Sequence, residues 1–263
     1  ALMGKHAFSL KTIYLAALTA VFAVSFFAFV AFDLYSQQRQ TEQAMLEEAR
    51  TFAREMDAVW QFMDNSQSII NNSSSGGYEF KGLHCSVVGK SVGRLFSAGS
   101  DYHIRYTNFD PRSEQDIPDE FETKALEAFN ADRSVTEYYG VAPFDGEDRF
   151  RYLQALEVDD SCLECHGEPV GELDITDHAK EGWTLESVGG AISIVIPLDQ
   201  QQAAMRGNVI RDMAYFLLIT VFIGLVILVV TTVFVLRPLG GMHAAFGELK
   251  QGRLGASVSQ RFA

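Results

Sequence analysis

Cys162-Leu163-Glu164-Cys165-His166 places two cysteines and a histidine in the order C-x-x-C-H. This spacing is typical of covalent attachment of a c-type haem. The two thiols can form thioether bonds with the two vinyl groups of one porphyrin, and the imidazole that follows can reach the iron. A CxxC redox pair or half of a zinc site are the alternatives. We therefore predict one covalent haem c attached through Cys162 and Cys165, with His166 as an iron ligand.

Two long apolar segments lie on either side of this stretch. Residues 13–32 contain no charged side chain, and residues 213–236 are also uncharged. Each is long enough to cross a hydrocarbon layer of about 30 Å at about 1.5 Å per residue. A cleaved signal peptide is the alternative for the first segment, but no small-x-small cleavage site follows it. We expect transmembrane helices at 13–34 and 213–236.

The charges are distributed unevenly between the middle of the chain and its two ends. Residues 33–212 carry 15 Lys and Arg against 33 Asp and Glu, a net charge of −18, whereas the flanking segments carry 6 against 1, a net charge of +5. Lys5, Lys11 and Arg237 adjoin the apolar segments, so the positive-inside rule predicts that both termini are cytoplasmic. The acidic middle then lies outside the bacterial inner membrane. Its charge argues against nucleic acid and anionic lipid as partners.

A helix is predicted over residues 34–70, which contain almost no helix breakers. Its apolar residues recur at spacings of three and four, as in a heptad seam. The seam either packs on its own domain or forms a homodimer interface. It consists of Met45, Ala49, Phe52, Met56, Val59 and Met63. Asn71 and the Ser/Gly-rich residues after it end this helix.

Short helices and strands are predicted between this helix and the second apolar segment. We expect helices at 83–96 and after Pro118, with Phe121, Ala125, Leu126 and Phe129 facing inward. Strands are expected at 102–107, 134–139, 149–158 and 189–197, a turn at 144–147, and C-x-x-C-H on an irregular segment. Helix resumes at Asp199. This pattern predicts an α+β fold, a PAS-like antiparallel sheet with flanking helices inserted between two transmembrane helices.

The second axial ligand of the iron is an open question. Cys85 is the remaining cysteine, and a start-of-helix position would lower its pKa and favour the thiolate. A buried structural cysteine or an intermolecular disulfide is the alternative. His84 is the rival donor, and His103 and Met205 are weaker candidates.

Four segments, in this order, resemble an extracytoplasmic c-type haem domain of PAS-like fold. They are 83–92 (LHCSVVGKSV), 102–112 (YHIRYTNFDPR), 118–122 (PDEFE) and 162–167 (CLECHG). That family occurs alone in cyanobacteria and fused to bacterial histidine kinases and related receptors.

The resemblance implies that His166 and Cys85 coordinate the haem iron. It also suggests that Arg105 and Arg112 lie near the haem, where each guanidinium could bind a propionate; ordinary surface arginines are the alternative. Three aromatic side chains either line the porphyrin or belong to the core, namely Tyr106, Phe109 and Phe121.

The residues after the second apolar segment resemble the start of a HAMP linker. They include Arg237-Pro238-Leu239, an amphipathic stretch with Met242, Phe246 and Leu249, and Gly252-Arg253-Leu254. We therefore expect a cytoplasmic tail at 1–12, an extracytoplasmic haem domain at 35–212, and a truncated HAMP linker at 237–263. The signalling output would lie beyond this chain.

These features predict the sensory part of a histidine kinase or chemoreceptor, a homodimer that detects redox state or a small haem ligand outside the membrane. The alternative is a membrane-anchored monohaem cytochrome that carries electrons. A cytochrome needs neither a second membrane span nor a HAMP-like tail. A haem enzyme such as a peroxidase is a third reading, but the sequence offers no obvious distal acid-base pair. We therefore identify no catalytic site in this segment.

Overall fold

The longest element of the chain is helix α1, Leu10–Asn65, in a computed structural model that describes residues 10–250. The helix starts at the first apolar segment and continues for 56 residues, as its uninterrupted helix-forming sequence predicts. Residues 39–204 form one unit, and the described residues on either side of it form another. The two units are described separately below.

A four-stranded antiparallel sheet is the centre of the unit formed by residues 39–204. Its strand order is β1-β4-β3-β2. The strands are β1 (His103–Thr107), β2 (Glu137–Phe144), β3 (Glu147–Glu157) and β4 (Val188–Ile196). Asp145 and Gly146 join β2 to β3 with φ angles of 51° and 82°, as a two-residue hairpin turn requires. The α+β fold with an antiparallel sheet is confirmed, although β2 lies further along the chain than predicted.

One face of the sheet packs against α1. The buried apolar stripe of this helix, including Met45, Ala49 and Met56, contacts inward residues of the strands such as Ile194 and Tyr152. Burial of such side chains contributes about 25 cal/mol per Å² of apolar surface. The seam predicted from the sequence therefore packs on its own domain.

The other face of the sheet is covered by α4, Glu120–Ala131. The Asp119 carboxylate accepts from the backbone N–H of Glu122, and the Glu122 carboxylate accepts from that of Asp119, which forms a capping box. Ala125, Leu126 and Phe129 are buried against the sheet, as predicted. Phe121 is only partly buried.

A short helix α2, Gln67–Ile70, follows α1. Helix α3, Cys85–Ala98, lies against β1 through two glycines. Gly89 and Gly93 are its buried residues, and a Cβ at Gly93 would lie 2.9 Å from the carbonyl oxygen of Ile104. The predicted helix is confirmed. Val92 packs against the core and Phe96 contacts Phe52 with ring centroids 5.2 Å apart, whereas Leu95 is 74% exposed. The two glycines, at a spacing of four, allow the helix backbone to approach the strand closely.

The other unit contains the apolar parts of α1 and of α6, Asp199–Thr231. Both helices are long and apolar enough to cross a membrane. The predicted span 13–34 lies within α1, and the predicted span 213–236 runs from α6 into the π-helical turn that follows it. Phe29 and Phe216 stack with their centroids 4.4 Å apart. A π-helical turn at Thr232–Leu236 leads into α7, Arg237–Lys250. Most of the predicted tail 1–12, and Gly252-Arg253-Leu254, lie outside the described residues.

Candidate functional site

The C-x-x-C-H stretch lies on a short helix, α5 (Asp160–His166), and not on an irregular segment as predicted. Asp159 starts this helix: its Oδ1 accepts from the Cys162 backbone N–H (3.1 Å) and lies 3.2 Å from the Cys162 sulfur. The helix ends at Gly167. A side chain would not fit at this position, because its Cβ would lie 2.6 Å from the carbonyl oxygen of Leu163. A seven-residue helix has too few residues for a detectable apolar period, and the sequence pattern therefore missed it.

His166 is held by two contacts from the segment that follows α5. Its Nδ1 lies 2.7 Å from Glu181 Oε2. Its ring stacks on the indole of Trp183 with centroids 4.1 Å apart and an angle of 11° between the planes. The Trp183 backbone N–H also donates to the His166 carbonyl oxygen (2.7 Å). The ring orientation is therefore fixed, and Nε2 is the nitrogen left for a metal.

Arg112 organises the carboxylates around His166. Its Nε and Nη2 donate to both oxygens of Glu181 at 2.6 and 2.9 Å, and its Nη1 donates to Asp174 at 2.6 Å. Nη2 also donates to the Cys165 carbonyl oxygen at 2.9 Å. The structure thus brings Arg112 to the C-x-x-C-H helix. All three of its nitrogens, however, have protein partners, and the propionate contact remains a prediction.

The carboxylates of this cluster are ionised. Burial alone would raise the pKa of Glu181, but hydrogen bonds from Arg112 and His166 lower it below its ordinary value. The same opposition of burial and hydrogen bonds, here from Thr176, Arg112 and backbone N–H groups, leaves the pKa of Asp174 far below its usual range. Both groups are therefore negatively charged acceptors at neutral pH.

Cys85 is the first residue of α3 and lies within electrostatic range of Cys162 and Asp64. The structure therefore brings the third cysteine towards C-x-x-C-H. The expected lowering of its pKa by the helix start is wrong, because burial raises the pKa of the thiol to about 12. Hydrogen bonds from the backbone N–H groups of Cys85 and Ser86 act in the opposite direction, but they are weaker.

Cys162 and Cys165 are half-buried free thiols. Burial raises the pKa of Cys162 to about 11 and also raises that of Cys165. A CxxC redox pair usually has a lowered thiol pKa, so the dithiol alternative gains no support. Within residues 10–250, no group of three or more His, Cys, Asp or Glu side chains is placed to hold a metal ion.

His84, the rival donor, precedes α3 as its N-cap residue. Its Nδ1 lies 2.9 Å from Ser86 Oγ, and its ring lies within electrostatic range of His166 and Arg112. Burial lowers the pKa of His84. It is therefore neutral near pH 7 and close to the same site. Both Cys85 and His84 remain candidate ligands.

His103 and Met205 are the weaker candidates. The His103 ring packs on Phe144 at the end of β2 with centroids 5.0 Å apart. Met205 belongs to the other unit.

Arg105 is not brought to this cluster. Its Nη2 donates to the Ile117 carbonyl oxygen (2.5 Å) and to Glu122 (3.0 Å) on the α4 face of the sheet. Its neighbour Tyr106 points to the opposite face, within electrostatic range of Cys85, because side chains alternate along a strand. Of the three predicted aromatic residues, only Tyr106 is placed near a candidate ligand.

The remaining two aromatic residues lie apart from the candidate ligands. Phe109 is exposed. Phe121 packs on Tyr138 with centroids 5.2 Å apart, beneath α4.

Sequence reasoning missed Glu181, Trp183 and Asp174. They lie 15, 17 and 8 residues after His166 in a segment without regular periodicity. The available signal was the number of acidic residues that follow C-x-x-C-H, but it does not tell which of them folds back onto the histidine.

These residues fit a covalently attached haem. Cys162 and Cys165 are three residues apart on α5 and share one of its faces. His166 presents Nε2 while a carboxylate holds Nδ1, the arrangement that proteins use to orient a metal-binding imidazole. Cys85 supplies a further sulfur from a separate helix.

Comparisons with known proteins gave one family match and one structural match. The sequence model of the Tll0287-like family, described as Tll0287, matches residues 38–197, which is more than half of the chain. No curated protein matches it. Among solved structures, the crystal structure of the cyanobacterial haem protein Tll0287 aligns with a TM-score of 0.46 and 17% identity, over 59% of this chain and 95% of that chain. On the family match, this chain belongs to the Tll0287-like family.

Proposed function

We propose that the unit of residues 39–204 binds one covalent haem c and serves as the sensory domain of a membrane receptor. The observation that carries the haem assignment is the arrangement of His166, whose Nδ1 is held by Glu181 and whose ring is fixed by Trp183, directly after two thiols on one helix. Membership of a family named after Tll0287, a haem protein, supports it.

The proposed iron ligands are His166 and Cys85, with His84 as the competing donor. Haem supplies an iron centre that changes oxidation state and can bind a small molecule. Cys162 and Cys165 hold the porphyrin, Glu181 and Trp183 orient His166, and Tyr106 lies on the Cys85 side. The buried, protonated Cys85 thiol would lose its proton on binding iron.

The end of α1 is tied to the segment that carries Cys85. Gln67 Nε2 donates to the carbonyl oxygens of Met63 (2.9 Å) and Leu83 (3.1 Å), and Asn71 Oδ1 accepts from the Lys81 backbone N–H (3.0 Å). Asp64, in the last turn of α1, lies within electrostatic range of Cys85 and Cys162. A displacement at Cys85 would therefore reach α1, the helix that contains the first proposed membrane span.

The receptor assignment rests on the two apolar helices and on the charge distribution. Lys11 and Arg237 adjoin the two apolar segments, and by the positive-inside rule this charge distribution supports a haem domain outside the bacterial inner membrane. Residues 237–250 continue as helix α7, in agreement with the first helix of a HAMP linker. A coupling free energy of about 1–3 kcal/mol between two helix arrangements would regulate an output domain. A homodimer would use a surface other than the buried Met45 stripe.

Covalent attachment is tested by replacing the thiols. We expect the full chain, produced in bacteria with the c-type haem maturation machinery, to keep its haem through denaturing electrophoresis. The double variant Cys162→Ala, Cys165→Ala should lose it, whereas Cys85→Ala should retain it with an altered ferric spectrum. Haem staining of the gel and absorbance spectra are the measurements. A wild-type chain without covalent haem would refute the proposal.

Hydrogen exchange measured on the ferric and the ferrous protein distinguishes a sensor from an electron carrier. A sensor should change the amide protection of the last turn of α1 and of residues 66–72 when the iron is reduced. A carbon monoxide titration of the ferrous protein would show whether the second axial bond is labile. Unchanged protection with reversible redox cycling would instead identify an electron carrier.

A further inference from the structure

Glu181 is shared between a proposed iron ligand and an arginine. We propose that Glu181 is a positioning residue that fixes the Nδ1–H tautomer of His166 and lowers the reduction potential of the haem, and that Arg112 opposes this lowering. The inference rests on the proposed haem site. It adds which side chains set the reduction potential of the haem.

The tautomer follows from the hydrogen-bond acceptors. A carboxylate in a bidentate pair with a guanidinium is ionised and can only accept. Arg112 Nε and Nη2 donate to its two oxygens at 2.6 and 2.9 Å, and His166 Nδ1 lies 2.7 Å from Oε2. Nδ1 must therefore carry the proton, and Nε2 keeps the lone pair that binds iron.

The site is arranged so that this hydrogen bond is persistent. The Glu181 side chain is 17% exposed, so water competes weakly for its oxygens. Trp183, two residues later, stacks on the imidazole and hydrogen-bonds to the His166 backbone, so rotation of the ring would break the stacking. Residues 181–183 thus supply both the hydrogen-bond acceptor for His166 Nδ1 and the indole that packs against the imidazole.

The two charges have opposite effects on the iron. A negative charge behind the imidazole makes it a stronger donor and stabilises the more positive ferric state, which lowers the reduction potential. The guanidinium of Arg112 withdraws charge from the same carboxylate and has the opposite effect. Asp174 and the Cys165 carbonyl oxygen anchor Arg112 at 2.6 and 2.9 Å, so its distance from Glu181 is set by the fold.

The first test is the reduction potential of the haem-loaded full chain in detergent, measured by spectroelectrochemistry. We expect Glu181→Gln to raise the midpoint potential and Arg112→Gln to lower it. Glu120→Gln is the control, since that side chain is 87% exposed and paired with Lys124 on α4. Shifts of the same sign in the two variants, or shifts no larger than that of the control, would overturn the proposal.

The second test uses the haem-free chain and therefore does not depend on the cofactor. Nitrogen-15 NMR of labelled histidine distinguishes the two neutral tautomers, and His166→Gln assigns the signal among the six histidines. We expect the Nδ1–H form in the wild type and a mixture in Glu181→Gln. An Nε2–H form in the wild type would refute the positioning role. A chain that has the expected tautomer but takes up no haem would refute the proposed function and, with it, the effect on potential.

Discussion

Arg105 and Arg112 are only seven residues apart and both pair with carboxylates, but they lie in different parts of the domain. Arg105 contacts Glu122 beneath α4, on one face of the sheet. Arg112 contacts Glu181 and Asp174 beside the C-x-x-C-H helix. The comparison shows that an arginine–carboxylate pair can have two different roles. It stabilises the fold where the carboxylate contacts only structural groups, and it orients a proposed iron ligand where the carboxylate also contacts that ligand.

The carboxylate of Glu122 contacts only structural groups. Arg151, 1% exposed, lies with Nη2 2.7 Å from Asp119 and 3.4 Å from Glu122, so this cluster joins α4 to β1 and β3. The Glu181 carboxylate instead reaches His166. We therefore expect changes in the first cluster to alter stability and changes in the second to alter the haem.

The largest effect is expected for Glu122→Ala. It leaves the guanidiniums of Arg105 and Arg151 without this buried partner, and such a loss costs about 3–5 kcal/mol. Urea unfolding of the haem-free full chain in detergent, followed by tryptophan fluorescence, is suitable because Trp60 and Trp183 both lie in the unit of residues 39–204. Glu120→Ala, an exposed change on the same helix, is the control. Equal midpoints for the two variants would contradict a structural role for this cluster.

A smaller loss is expected for Gly93→Ala, which tests whether the approach of α3 to β1 places Cys85. The new Cβ would lie 2.9 Å from the Ile104 carbonyl oxygen, so α3 must shift. Overpacking of this kind costs about 1–3 kcal/mol, and the shift should also change the ferric spectrum. Gly99→Ala at the end of α3, where the nearest atoms are 3.8 Å away, is the control. If Gly93→Ala destabilises the chain but leaves the ferric spectrum unchanged, the packing of α3 on β1 does not determine how Cys85 is placed at the haem.

The smallest effect concerns a third arginine, Arg50, which joins α1 to β2 through Glu137 at 2.7 Å. The hydrogen bond from Arg50 lowers the pKa of Glu137 below its ordinary 4.5. A lowered folded-state pKa contributes stability that is present above pH 4.5 and is lost as the pH falls through the folded-state pKa.

We expect Glu137→Gln to cost about 1 kcal/mol at pH 7, since the pair is partly exposed. The difference from wild type should shrink as the pH falls below 4.5. Urea unfolding at several pH values measures it, and Glu47→Gln, the more exposed partner of Arg50, is the control. A difference that is constant from pH 3 to 7 would rule out a charge effect.

Much of the fold could be predicted from local patterns. The long helix α1, the hairpin at Asp145 and Gly146, and the strand before Pro197 each have a clear periodicity or turn signal. The close approach of α3 to β1 could not be predicted, because it depends on Gly89 and Gly93, which carry no hydrophobic signal. The expected activation of Cys85 was wrong because a helix start acts locally, whereas burial depends on the whole domain.

The sequence by itself determined the two apolar helices, the α+β class and the C-x-x-C-H stretch, because these depend on composition and on residues that are neighbours along the chain. Only the tertiary structure decided that Arg112 and not Arg105 lies beside His166, that Glu181 and Trp183 hold the imidazole, and that Cys85 lies within electrostatic range of Cys162. These contacts join residues separated by 15 to 77 positions. Their formation depends on strand alternation and close helix packing, which a local pattern does not specify.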